Sequence, residues 1–306
     1  MKFNSLKLKK SYLALASIAL FSFACSNDPK GTGENPEEIA EDTTKPTSNG
    51  VLNVGGELFS IPSPVQTAML IQKSGAAYDK GILNATSNSN QYKTDFHKAL
   101  NLGIFGADLG YVTMYNKTTD ALSYLAHVKT LADELGVSGA FDSKTMERIN
   151  KNITVKDSML VLVGIAYRSS DAFLKNNDRN DVSGLILTGG WIESLNFAIS
   201  VNKQKENEEV KRRIAEQKQS LGSIIKLLSQ FNKPEYATLI ADLQDLSKVY
   251  DAIDYKYVFE KPTTDVGTRT TTINSRTDIN VSKEQIEQIS GKVKALRDKI
   301  VNPSKA

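Results

Sequence analysis

The segment from Thr94 to Asn116 restricts the fold most, because it has the length of a helix and is apolar on nearly every side. Its apolar side chains cover the whole circumference of such a helix: Leu100, Leu102, Ile104, Phe105, Leu109, Val112 and Met114. A helix without a polar face is buried among other elements. The segment also holds Gly103, Gly106 and Gly110. Each glycine costs about 1 kcal/mol relative to alanine, and close approach of a neighbouring backbone is the expected compensation.

Further helical patterns follow at short intervals along the chain. We predict helices over about 63–78, 94–116, 119–136, 143–152, 154–177, 181–203, 210–231, 234–253 and 282–300. Gly184, Gly189 and Gly190 again interrupt an apolar helix, just before Trp191. Short turns between many helices are typical of an all-α protein. The sequence therefore predicts a helical bundle or stacked helical hairpins of eight or nine helices.

Two stretches depart from the helical pattern. Residues 51–61 form a short extended piece, and residues 255–281 combine aromatic residues with a run of threonines around Gly267. Aromatic and β-branched residues flanking a glycine turn favour a small hairpin. We therefore expect one small β-like excursion near 255–281, before a last helix that starts with a capping box at Ser282 and Gln285.

The N-terminal residues have the pattern of a secretion signal. Four lysines precede an apolar stretch from Leu13 to Phe23, and the small residue Ala24 and the single cysteine, Cys25, follow it. This order is that of a signal peptide, and the apolar stretch is shorter than the roughly 20 residues of a spanning helix. The chain has 38 basic and 35 acidic residues, and without those four lysines its net charge is −1. The basic isoelectric point is therefore no indication of nucleic-acid binding.

The sequence Ser22-Phe23-Ala24-Cys25 resembles the lipobox of bacterial lipoproteins. The resemblance implies cleavage before Cys25, a diacylglycerol on its sulfur and an acyl chain on its new amine. Ser26, rather than an aspartate, follows the cysteine, which implies sorting to the outer membrane. We expect a signal peptide at 1–24, a lipidated disordered tether at 25–50, which is polar and acidic, and one all-α domain at 51–306.

Several segments resemble a family of uncharacterised helical lipoproteins from Bacteroidetes. The resemblance rests on short motifs spread over the body: Ile61-Pro62-Ser63-Pro64, Lys98-Ala99-Leu100, Gly106-Ala107-Asp108-Leu109, Gly189-Gly190-Trp191-Ile192-Glu193 and Leu296-Arg297. It covers nearly all of 51–306. The resemblance implies an all-α fold, and it implies no activity because these motifs have no assigned chemistry.

No catalytic or metal-binding motif stands out in the sequence. The two histidines, His97 and His127, lack a partner at the spacing of a zinc motif. The candidates are polar or amphipathic residues within apolar helices: His97, Asp108, Arg168, Asp171, Trp191 and Glu193. Arg168 and Asp171 are spaced to pair directly on one helix. Two interpretations stay open, because buried charges need partners: a buried polar network that fixes helix register, or a pocket that binds a small polar ligand.

The function favoured by these features is a non-catalytic binding or scaffold role in the bacterial envelope. The expected partners are the membrane, through the lipid on Cys25, and an envelope protein. We expect no cofactor beyond that covalent lipid, no metal and no nucleic acid. The alternative is a small-ligand-binding protein or hydrolytic enzyme with a polar pocket between helices. The expected location is the outer membrane, on its periplasmic face or at the cell surface.

Overall fold

The structure, a computed structural model, describes residues 51–54, 57–60, 64–140 and 143–305. These residues belong to one compact unit, Ser48–Ala306. The predicted signal peptide, the lipid attachment at Cys25 and the tether lie outside the described residues. The structure therefore bears on the body of the protein only.

Helices make up most of the described residues, which confirms the predicted all-α class. The first six are α1 (Pro64–Lys73), α2 (Asp95–Met114), α3 (Thr118–Glu134), α4 (Ser143–Asn152), α5 (Lys156–Asn176) and α6 (Asn180–Gln204). The last four are α7 (Glu208–Ala215), α8 (Lys218–Ser229), α9 (Pro234–Asp251) and α10 (Lys283–Val301). The described part thus has ten α-helices, one more than the upper number predicted.

The additional helix arises because the predicted helix over 210–231 is interrupted between α7 and α8. Gln217 lies at the interruption and is buried. Its side chain accepts a hydrogen bond from Trp191 Nε1 at 3.0 Å and donates one to the carbonyl of Arg213 at 3.0 Å. The break therefore turns a polar side chain inward, where it satisfies the indole N–H.

Helices α2 and α6 form the centre of the fold and pack against each other. Every residue of α2 from Ala99 to Met114 is buried, as its lack of a polar face predicts. Helices α1, α3, α5 and α10 also contact α2, and α7 and α8 contact α6. Within the described ranges, α6 alone is long and apolar enough to cross a membrane, by length and composition. Its most apolar window is 89% buried in the protein, as in a core helix.

Glycines allow α2 and α6 to approach closely. A Cβ on Gly103 would lie 1.9 Å from the carbonyl oxygen of Ile186, and a Cβ on Gly189 would lie 1.9 Å from that of Leu100. No larger residue fits at either position without separating the helices. At Gly110 the expected close approach is absent, since a Cβ there would meet no atom within 4 Å.

The described strands form short antiparallel pairs. Strand β1 (Val51–Val54) pairs with β2 (Glu57–Ser60), β3 (Asp254–Val258) pairs with β6 (Arg276–Asn280), and β4 (Thr263–Asp265) pairs with β5 (Thr270–Thr272). The last two pairs build the predicted excursion, here called the β arm (residues 254–280). The β1–β2 hairpin replaces the single extended piece expected over 51–61, and its register places Val54 opposite Glu57.

Candidate functional site

Asp108 lies in the middle of α2, and its side chain has no exposed surface. Its Oδ2 accepts a hydrogen bond from the backbone N–H of Asn84 at 3.3 Å. Its Oδ1 is buried, and no donor among the described residues bonds to it. Because an ionised carboxylate with an unsatisfied oxygen is costly in a core, the groups around Asp108 determine its protonation state.

Glu193 of α6 is equally buried and bonds to Arg297 of α10. Arg297 Nη2 donates to Glu193 Oε1 at 2.6 Å, and its Nε donates to Oε2. This bidentate pairing is the strong form of an arginine–carboxylate contact. Arg297 Nη2 also donates to the carbonyl of Ile82 at 3.0 Å. We refer to Asp108, Glu193 and Arg297 as the charge cluster.

Burial and the neighbouring charges act together on the titration of Asp108. Burial raises the pKa of Asp108 well above its usual range, and the charge of Glu193 raises it further against the opposing effect of Arg297. Both effects favour the protonated form of the Asp108 carboxyl group. Burial alone would lower the pKa of Arg297, but Glu193 raises it above its ordinary value.

Asn84 ties the segment between α1 and α2 to the charge cluster. Its backbone N–H bonds to Asp108, and its carbonyl accepts from the hydroxyl of Tyr124 at 2.9 Å. Its side-chain Nδ2 donates to Tyr92 Oη at 2.9 Å and to Asn101 Oδ1 at 3.2 Å. A buried asparagine with this many partners holds its segment in one position.

The same network reaches the C-terminal end of α10. Tyr92 donates to the carbonyl of Val301 at 3.2 Å, and Asn101 Nδ2 donates to the carbonyl of Ile300 at 3.1 Å. These carbonyls belong to the last turn, where a helix lacks internal donors. Both of these hydrogen bonds are buried. Together with the charge cluster, they join α2, α6 and α10 inside the protein. Its chemistry is that of a closed structural connection.

The structure brings only Asp108 and Glu193 together among the six sequence candidates. Trp191 is buried two residues before Glu193, and its Nε1 bonds to Gln217 on another side of α6. His97 is half-buried at the start of α2, with Nδ1 2.9 Å from the hydroxyl of Thr94. Burial lowers the pKa of His97, which favours its neutral form.

Arg168 and Asp171 are the two candidates that lie on α5. Arg168 is exposed, because it shares with Val161 the side of α5 that faces solvent. Asp171 bonds to Lys175 Nζ at 2.6 Å and to Ser183 Oγ at 2.5 Å. These are the partners that the structure gives to Asp171, in place of the direct pair with Arg168 expected from their spacing.

Arg297 and Asn84 are two of the members of the network that are not among the six sequence candidates. Arg297 lies four residues after Val293 and three before Ile300, on the apolar side of α10. A cation within an apolar stripe indicates a buried anion as its partner, so the sequence of α10 could have identified Arg297. Asn84 follows buried Leu83 in the segment between the predicted helices over 63–78 and 94–116. Its role depends on tertiary contacts that the sequence does not encode locally.

Two cavities of appreciable size lie elsewhere in the described body. One of about 240 Å³ lies among α2, α3, α4, α5 and α6 and opens to solvent. Another of about 410 Å³ lies between α2, α9 and α10 and is lined by His97, Glu235 and the ion pair of Asp242 with Lys299. No residue of the charge cluster lines either cavity.

The comparisons with known proteins add no assignment to this geometry. No protein-family model, no curated protein and no solved structure matches the chain. Within the described ranges, no three histidine, cysteine or acidic side chains are grouped in a way that could hold a metal ion. Asp108, Glu193 and Arg297 each belong to one of the short sequence motifs named above, so these distant segments of the chain meet at the charge cluster.

Proposed function

We propose that this chain is a lipid-anchored protein of the bacterial outer membrane whose helical body binds other envelope components without catalysing a reaction. The observation that carries the non-catalytic part is the closed charge cluster. Glu193 is bonded at both oxygens by Arg297, and burial together with the charge of Glu193 raises the pKa of Asp108. Carboxyl groups held in this way are structural groups, since a catalytic acid or base must reach its substrate.

The alternative, a small-ligand or hydrolytic site at Asp108 and Glu193, requires a cavity that those carboxyl groups border. The cavities of about 240 and 410 Å³ are lined by other residues. The geometry therefore supports the structural interpretation of these two residues. Binding would then use the surface or one of the two cavities.

The β arm offers a surface for a protein partner. Four large apolar side chains on it are well exposed: Tyr257 (65%), Phe259 (70%), Val266 (84%) and Ile273 (74%). Tyr257 and Phe259 alternate along β3 and its extension, so they project from the same face of the arm. Exposed apolar groups that lie close together are typical of interaction sites.

The anchoring is tested by Cys25→Ser. Lipid chains hold a protein on a membrane by about 0.8 kcal/mol for each buried methylene, and two chains give stable attachment. We expect the wild-type protein in the outer-membrane fraction and the Cys25→Ser protein in the soluble or unprocessed fraction. Full retention of the variant in washed membranes would refute lipid anchoring at this residue.

The binding role is tested by crosslinking the wild-type protein in intact cells and comparing it with Phe259→Ser. We expect a stoichiometric crosslink to one envelope protein that is lost in the variant, while Leu122→Ser, which alters an exposed leucine of α3, retains it. Equal crosslinking by both variants would exclude the β arm as the binding surface.

A further inference from the structure

We infer that the cavity among α2 to α6 binds a single aliphatic chain, such as an acyl chain of a membrane lipid. The inference extends the proposed function by naming a ligand class. It rests on that proposal in one respect: a body tethered to a membrane is held near lipids that carry acyl chains. The cavity is a separate feature from the charge cluster and from the β arm. Its size, its lining and its single polar edge each favour a hydrocarbon ligand.

The size of the cavity exceeds that of an ordinary packing defect. Its volume is about 240 Å³, whereas protein cores contain few voids larger than a water molecule. An apolar cavity of about 150 Å³ remains dry and accepts a benzene molecule. The space here is therefore sufficient for an aliphatic chain of several carbons.

The inner wall of the cavity is hydrocarbon. Buried side chains from four helices contribute to it, among them Leu102, Leu125, Met159, Val163 and Ile186. Two methionines, Met146 and Met159, line it from different helices, and methionine adapts to irregular apolar ligands. Such a wall provides no set of hydrogen bonds for a sugar, nucleotide or amino acid.

Tyr167 lines the cavity, but its hydroxyl is hydrogen-bonded within the protein. Its hydroxyl donates to the carbonyl of Gly103 at 2.8 Å. Gly106 provides the space, because a Cβ there would lie 2.5 Å from that hydroxyl. The ring of Tyr167 lines the cavity with its hydroxyl already satisfied, and the buried Ser170 adds one further hydroxyl to the wall.

The charged side chains of the cavity lie at its edge. Lys129 is half-buried and Asp133 is exposed, one turn apart on α3. Ser138 lies beside them and is also half-buried. A chain that enters here places its hydrocarbon inside and its head group at the surface. Because the two charges at this edge are opposite, they favour neither a strongly positive nor a strongly negative head group. The aliphatic chain of the ligand therefore supplies the affinity.

The test uses the full-length chain with Cys25→Ser, purified without detergent, and calorimetric titration with hexanoate, octanoate, decanoate and decanol. We expect the affinity to rise about fourfold for each added methylene, because each buried methylene contributes about 0.8 kcal/mol. Decanol should bind within a few-fold of decanoate. Equal affinity for hexanoate and decanoate, or absence of decanoate binding, would overturn the inference.

A matched pair of variants locates the binding. Ala166 lines the cavity, and Ala172 is exposed on the same helix. Ala166→Leu should weaken decanoate binding by about tenfold or more, since it fills the space of at least two methylenes, whereas Ala172→Leu should leave it unchanged. If Ala166→Leu does not fold by circular dichroism, Ala132→Leu on α3 replaces it. Decanoate binding that survives cavity filling would place the ligand elsewhere.

The outcome is independent of the tests of the proposed function. Membrane fractionation of Cys25→Ser reports on the anchor, and crosslinking reports on the β arm. Calorimetry on the soluble variant reports on the cavity alone. A failure of acyl-chain binding would therefore leave the anchored, non-catalytic role standing, and a failure of anchoring would leave the measured chain binding standing.

Discussion

At the scale of single residues, the charge cluster illustrates how a core tolerates three ionisable groups. Burying a charge pair is expensive, and the attraction within the pair offsets that cost only if the remaining hydrogen bonds are made. Arg297 meets this condition with both oxygens of Glu193 and the carbonyl of Ile82. For Asp108 the cost is reduced differently, because burial and the charge of Glu193 raise its pKa and so favour the uncharged carboxyl group.

Removing the charge of Glu193 should leave Arg297, whose side chain is only 12% exposed, without its counter-ion. We expect Glu193→Gln to lower the free energy of unfolding by about 3–5 kcal/mol, the usual effect of breaking a buried pair. Urea denaturation measures it. The control is Glu287→Gln, at an exposed glutamate of α10, for which we expect a change of about 0.5 kcal/mol or less.

The proton on Asp108 makes stability depend on pH. Because burial, reinforced by Glu193, raises the pKa of folded Asp108 well above its usual range, the folded state binds a proton that the unfolded state releases above pH of about 4. The free energy of unfolding therefore decreases as pH rises, by about 1.4 kcal/mol per pH unit, until the folded pKa of Asp108 is reached.

Asp108→Asn should remove that dependence, since asparagine keeps a donor and an acceptor without a titrating proton. We expect the variant to gain stability relative to wild type by about 1.4 kcal/mol per pH unit as pH rises from the unfolded pKa of Asp108, about 4, towards its raised folded pKa. Unfolding in urea at several pH values measures the difference. Asp133→Asn, at an exposed position of α3, is the control. A pH-independent difference for Asp108→Asn would mean that Asp108 is ionised in the folded protein.

The residues of the cluster were only partly predictable. Asp108 and Glu193 stand out as acids in apolar helices, and that property alone selected them. Arg168 is also a charged residue in an apolar helix, but it lies on the solvent side of α5. A mostly apolar helix that has one exposed face is easily taken from its sequence for a helix that is buried on all sides. Asn84 could not be selected, since its partners are up to 40 residues away in the chain.

At the scale of elements, the contact between α2 and α6 depends on glycine. Gly103→Ala would place a methyl group 1.9 Å from the Ile186 carbonyl, where two backbones meet and neither can move alone. We expect a loss of about 3 kcal/mol or more, at the upper end of overpacking effects. Thermal unfolding followed by circular dichroism measures it.

Gly110→Ala is the matched control on the same helix. A Cβ there meets nothing within 4 Å, and alanine is the better helix former by about 1 kcal/mol. We expect this variant to be as stable as wild type or more stable. If Gly103→Ala were equally harmless, the packing of α2 against α6 described here would be wrong.

Element boundaries followed the sequence closely where capping signals exist. The capping box at Ser282 and Gln285 is present and starts α10. The break between α7 and α8 was not predicted, because the apolar stripe continues across it. The partner of Gln217 at the break is the indole of Trp191, which lies on another helix. The β1–β2 hairpin has a local signal, Gly55-Gly56 between two β-prone runs, which the prediction of a single extended piece did not use.

At the scale of the whole molecule, the network that contains the charge cluster joins parts of the chain that are far apart in sequence. Arg297 contacts Glu193, 104 residues earlier, and the carbonyl of Ile82, 215 residues earlier. The last helix is thereby attached to the central helices and to the segment before α2. The sequence predicted the all-α class from its helical patterns and the buried position of α2 from the lack of a polar face. Only the structure reveals this long-range connection.

The most direct test of the central claim, that the charge cluster is structural, is a double-mutant cycle of Glu193→Met and Arg297→Met in urea denaturation. We predict that each single variant loses about 3–5 kcal/mol and that the double variant recovers most of that loss, because paired apolar side chains replace a buried ion pair well. Single variants within about 0.5 kcal/mol of wild type would contradict the claim, since they would show that both charges are hydrated and available to a ligand.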